Sequence, residues 1–134
     1  MNRTIRFFAW LDLAVTGLLA LPVTAPLVID LVYWLHDALP LAPLARPALG
    51  DTAMAFVNIM GIIGVIWALA RLKAPSLLLA RLDGWGRFAV AAVLLWYMQG
   101  TLSPVFFLFV LTELAGAAVQ LRPGFGRTAK LDAA

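Results

Sequence analysis

Four apolar stretches set the terms on which this chain folds: about Ile5 to Leu21, Ala53 to Ala70, Trp85 to Gln99 and Val105 to Leu121. A helix needs about 20 largely apolar residues to cross a bilayer, and in lipid a helix satisfies every backbone donor and acceptor within its own segment. Hydrophobic residues make up 63% of the 134 and charged ones 13%, against roughly half and a quarter in soluble domains. This points away from a water-soluble globule. The expected fold class is all-α integral membrane: a four-transmembrane-helix bundle with a short interfacial helix after the first span. It forms a single membrane domain over residues 1–134, with spans at 5–21, 53–70, 85–99 and 105–121 and a polar tail at 122–134.

Punctuation defines the connectors. Pro22 and Pro26 interrupt helical hydrogen bonding and end the first span. Residues 27–39 are too short to cross, and they place Asp30, Tyr33, Trp34 and Asp37 at i, i+3, i+4 and i+7, one helix face suited to the headgroup level or to a segment dipping partway in. Pro40, Pro43 and Pro47 break the loop that follows, and Asp51 and Thr52 can cap the second span. An amphipathic piece, Leu77 to Leu82, leads through Asp83, Gly84 and Gly86 into the third span, and a turn with Gly100, Thr101, Ser103 and Pro104 precedes the fourth.

Charge fixes the orientation. Arg3 and Arg6 precede span one, Arg71, Lys73, Arg81 and Arg87 fall between spans two and three, and Arg122, Arg127 and Lys130 follow span four; only Arg46 of the ten basic residues falls on the other side. Basic residues in short loops accumulate in the cytoplasm, so both termini are expected there, in a bacterial inner (cytoplasmic) membrane. The same residues, read as topology signals, remove the case for a nucleic-acid partner that a net charge of +3 would otherwise make. A cleaved secretory signal ending at Val23-Thr24-Ala25 is the rival for the first segment; Asp12 in its core and Pro26 after the cut oppose it.

The absence of cysteine excludes disulfides, thiolate catalysis and Cys-based metal centres, and one histidine, His36, supports neither a metal cluster nor a Ser-His-Asp set. No catalytic residue, metal or cofactor is expected, and His36 is expected to be solvated at the end of the short helix.

Polar residues inside the spans are the candidate site, because a charge near the bilayer centre demands a partner, protonation or a purpose. Asp12 lies mid-span one. Glu113 lies mid-span four on a face with Phe106, Phe109, Gly116, Ala117 and Gln120, and span two offers Asn58 beside Gly61 and Gly64. Asp12, Asn58 and Glu113 are expected to meet near mid-depth, with Trp96, Gln99 and Tyr97 of span three nearer the non-cytoplasmic end. No basic residue is expected at that depth. A hydrogen-bonded clamp, a ligand or proton pocket, and a contact with another membrane subunit all fit these faces.

Arg6-Phe7-Phe8-Ala9-Trp10-Leu11 opening span one, Gly17 followed by Pro22, and Glu113 in the last span give a layout that resembles the DoxX-like group of small bacterial membrane proteins, with four spans, cytoplasmic termini and an extra short helix. The resemblance implies an accessory membrane subunit beside redox or quinone-linked enzymes. In span number the chain is also similar to the sterol isomerase fold with its intramembrane acids. The functional expectation is a non-enzymatic membrane protein with lipids as partners, in a homo-oligomer or a larger complex, that is an accessory subunit or binds a small apolar ligand such as a lipid or quinone. A proton-coupled carrier using Glu113, or a lipid or sterol-type isomerase using intramembrane carboxyls, is the alternative.

Overall fold

The computed structural model describes residues 2–100 and 102–125. Arg127 and Lys130 of the expected cytoplasmic tail, and Thr101 of the last turn, lie outside the described residues. The described chain is all helical: α1 (Asn2–Leu19), α2 (Ala25–Ala38), α3 (Asp51–Lys73), α4 (Leu77–Met98), a 3₁₀ turn at Pro104–Phe106, and α5 (Phe107–Leu121). Two segments, Asp51–Lys73 and Pro104–Leu121, are long and apolar enough to cross a membrane.

The helix boundaries follow local chemistry. Residues 20–24 form a turn in which the Thr24 hydroxyl donates to the Leu18 carbonyl, and Pro26 then sits in the first turn of α2, where its missing N–H costs nothing. Ser76 accepts from the Leu79 N–H at 3.2 Å to cap α4. The amphipathic piece and the third span form one helix: α4 runs unbroken from Leu77 through Asp83, Gly84 and Gly86 to Met98. Gly84 is there for packing, since a Cβ built on it would lie 2.8 Å from Leu121 Cγ of α5.

Close backbone approach is concentrated in two pairs, α1 with α3 and α4 with α5. Both are antiparallel. Along α1 and α3, Thr16 lies against Gly64 and Leu19 against Gly61; along α4 and α5, Gly84 lies against Leu121 and Arg87 against Gly116. Small residues let these backbones approach. Asn58 of α3 donates to the Leu19 carbonyl at 2.8 Å, so it caps one of the acceptors that the end of α1 leaves unpaired.

α2 tucks into one end of the assembly, with Ala25, Val32, Tyr33 and His36 buried. The expected polar face therefore divides. Tyr33 turns inward, Trp34 and Asp37 are exposed, and Asp30 pairs with Arg46 of the following loop. The buried line wins because Val32 and His36, one turn apart, have hydrophobic and hydrogen-bonding partners inside. His36 is 2% exposed, against the solvated position expected of it. Its Nε2 lies 3.0 Å from the Ala42 carbonyl and its Nδ1 3.0 Å from Ser103 Oγ. A carbonyl only accepts, so Nε2 carries a proton. At the other end Ile5, Ala80 and Phe125 form a small apolar core.

Candidate functional site

The buried residues of α4 are Ala80, Asp83, Gly84, Arg87 and Ala91, a single line at i, i+3, i+4, i+7 and i+11 that marks the inward face. On that line Arg87 Nε donates to Asp83 Oδ2 at 3.0 Å, one turn apart. From α3, Arg71 Nη1 donates to the same oxygen at 2.6 Å and Trp67 Nε1 to Asp83 Oδ1 at 2.8 Å. From α5, Gln120 Nε2 donates to Oδ2 at 2.8 Å. Asp83 thus receives four donors from three helices.

The two arginines carry the network to α1 and α5. Arg71 Nη2 donates to Asp12 Oδ2 at 2.6 Å, and Arg87 Nη2 donates to that same oxygen. Arg87 Nη1 reaches Glu113 Oε2 at 3.1 Å. Aromatic rings cover the guanidiniums: Phe8 lies 5.0 Å from Arg87 Cζ and Trp67 6.0 Å from Arg71 Cζ, centroid to atom. Arg71 is 1% exposed and Arg87 4%. Burying such charges costs several kcal/mol each, and only close pairing with additional hydrogen bonds offsets it.

The expectation that no cation lies beside Asp12 and Glu113 is overturned. Arg71 and Arg87 stand inside the bundle rather than in a basic loop because α3 and α4 extend past the boundaries that hydropathy gave, and long guanidinium side chains reach inward from the ends of these helices. Three carboxylates then face two guanidiniums, leaving one negative charge in excess when all are ionised. Glu113 is the least saturated of the three acids, with one hydrogen bond against two for Asp12 and four for Asp83.

Glu113 also faces open space. A cleft of about 380 Å³ between the helix pairs has walls that include Val15, Val32, Leu94, Phe106 and Phe109, with Glu113 as its charged lining residue. A second, also about 380 Å³, lies between α1, α2 and α5 and is lined by Asp12, Thr16, Leu35, Leu108, Thr112 and Glu113 among others. Val15, Val32, Phe109 and Glu113 line both. The chain brings together Asp12 and Glu113 through Arg87 and leaves Asn58 apart, at the end of α1.

Trp96, Tyr97 and Gln99 do not join the site. Trp96 is 71% and Tyr97 63% exposed, and Gln99 is exposed as well. At 100° per residue Trp96 is about 180° from Arg87 around α4, so once Asp83 and Arg87 claim the interior, Trp96 must face out. Asp83, Arg71, Arg87, Gln120 and Trp67 were missed as site residues. Their signal was the i, i+4 spacing of Trp67 with Arg71 and of Asp83 with Arg87 on either side of a short turn.

Among the described residues no group of His, Asp or Glu is placed to hold a metal ion. Comparison with protein families, curated proteins and solved structures finds no match to this chain.

Proposed function

We propose that the chain is a small multi-pass membrane protein that binds an apolar ligand of the lipid or quinone class in the clefts between its helix pairs, with Glu113 at the ligand's polar end. The observation that carries this reading is the convergence of two largely apolar clefts on one incompletely paired carboxylate. Such a combination of apolar walls and few polar groups is the usual build of a small-molecule site, and the volumes fall within the common range of about 300–1,000 Å³.

In this reading α1, α3, α4 and α5 all cross the membrane and α2 closes the non-cytoplasmic end. α1 and α4 are less apolar than the other two because their charges, Arg3, Arg6 and Asp12 or Arg81, Asp83 and Arg87, interrupt the apolar run, whereas those of α3 (Asp51, Arg71, Lys73) lie at its ends, but Asp12, Asp83 and Arg87 spend theirs on one another inside the bundle. The exposed α3 face of Phe56, Ile59, Ile63 and Ile66 meets lipid or a neighbouring subunit, as an accessory subunit of the DoxX-like kind would require. Cytoplasmic termini follow from Arg3 and Arg6 at one end and Arg122 at the other.

Native mass spectrometry of protein extracted gently from its own membrane tests the reading. The unmodified chain is expected to retain a small apolar molecule, and Val32→Trp with Phe109→Trp, which fill both clefts, to lose it while remaining helical. An empty wild type, or equal retention by the filled variant, overturns it.

The excess negative charge supports a second reading, a proton-coupled carrier with Glu113 as its proton site. Proton-coupled uptake that survives Glu113→Gln removes that reading.

A further inference from the structure

We infer that the clefts select a ligand whose head donates a hydrogen bond and bears no negative charge: an amine or hydroxyl on an apolar body. This rests on the ligand-binding reading above. The argument rests on where the donors point and what lines the clefts. Nε, Nη1 and Nη2 of Arg71 are directed at the Trp67 carbonyl, Asp83 and Asp12, and those of Arg87 at Asp83, Glu113 and Asp12. Three of the five N–H donors of each guanidinium are thereby bonded within the network, and neither arginine, both of them buried, is among the residues that line the two clefts, so neither is placed to receive an anionic head.

The hydroxyls at the clefts are committed too. Thr16 donates to the Asp12 carbonyl at 2.7 Å and Thr112 to the Phe109 carbonyl at 2.8 Å. Tyr33 lines the first cleft and also a neighbouring one with Leu94, Tyr97 and Leu102 that Glu113 does not line. What the protein presents at the Glu113 end is therefore acceptor capacity, chiefly the second carboxylate oxygen of Glu113, in a network that already holds one more carboxylate than guanidinium. A carboxylate head placed there adds a further like charge against apolar walls, whereas an ammonium balances the excess and a hydroxyl satisfies the free acceptor.

The test uses a twelve-carbon alkylamine bearing a chain diazirine, cross-linked to the full chain in maltoside micelles and competed by dodecylamine, 1-dodecanol or laurate. Labelling is expected on cleft residues of α1, α2 and α5. Dodecylamine should compete at least about tenfold better than laurate, the scale of one charge-assisted hydrogen bond, with 1-dodecanol between them. In Glu113→Gln the three should fall within about threefold of one another. Cleft labelling competed equally by laurate overturns the selectivity and leaves the ligand site standing. Labelling scattered over outward-facing residues and indifferent to all competitors overturns the ligand site as well. The ranking in the unmodified chain decides the inference even where Glu113→Gln fails to fold.

Discussion

Arg71 and Asp83 lie twelve residues apart, on opposite sides of the turn between α3 and α4, and meet as a buried ion pair with Nη1 2.6 Å from Oδ2. Because Asp83 also binds Gln120 of α5 and Arg71 also binds Asp12 of α1, this contact joins the two helix pairs. The pairs have little close backbone approach to each other, so their relative position depends on side chains. Arg71→Met should therefore cost about 3–5 kcal/mol, the usual penalty for removing one partner of a buried pair. Unfolding titrations in mixed micelles measure it, and a loss under about 1 kcal/mol would show that the network does not hold the pairs together.

The three acids should differ in the order of their hydrogen bonds. Asp83→Asn removes the charge that two arginines and Gln120 share, and is expected to destabilise by about 2–5 kcal/mol. Glu113→Gln keeps the shape of a side chain with a single bond to Arg87 and relieves the excess negative charge, so its effect should stay within about 1 kcal/mol. Thermal unfolding of the two variants side by side checks the order. Equal losses would mean that Glu113 is as structural as Asp83.

The helical class and the approximate ends of α1, α2 and α5 were legible because Pro22, Pro26, Ser103 and Pro104 act locally. The fate of Arg71 and Arg87 was not. Hydropathy places an arginine at a span's end, yet a guanidinium on a stem several ångströms long can be reached by carboxylates from helices remote in sequence, and only the tertiary arrangement says whether they are there. Asp12 and Glu113 announced themselves by their depth in apolar runs. Asp83, followed by Gly84 and Gly86, resembled a turn residue, although Gly84 serves close packing against Leu121. Asn58 drew notice for its polarity, while its partner, the Leu19 carbonyl, carries no side-chain signal at all.

The glycines separate by what surrounds them. A Cβ on Gly61 would lie 2.6 Å from the Leu19 carbonyl carbon, backbone that cannot yield without moving α1. Gly61→Ala should cost about 1–3 kcal/mol through overpacking. Gly17, in the last turn of α1 with nothing within 4 Å of a built Cβ, should gain about 0.5–1 kcal/mol on change to Ala, because the unfolded chain loses freedom. Opposite shifts of the unfolding midpoint would support the observed α1/α3 register. A tolerated Gly61→Ala would place the two helices farther apart than this structure has them.

His36 holds two segments that have few other ties: its Nε2 donates to the Ala42 carbonyl, and its Nδ1 meets Ser103 Oγ, which also accepts from the Val105 N–H at 3.2 Å. Ser103 is 0% exposed, so no water compensates for a lost partner. Ser103→Ala leaves an imidazole nitrogen buried and unpaired and should cost about 1–3 kcal/mol. His36→Phe keeps the ring volume but releases the loop between α2 and α3. Hydrogen–deuterium exchange is expected to rise in residues 39–50 for His36→Phe, while the middles of α3 and α5 keep their protection. Unchanged exchange in that loop would show that the prolines, rather than His36, fix its path.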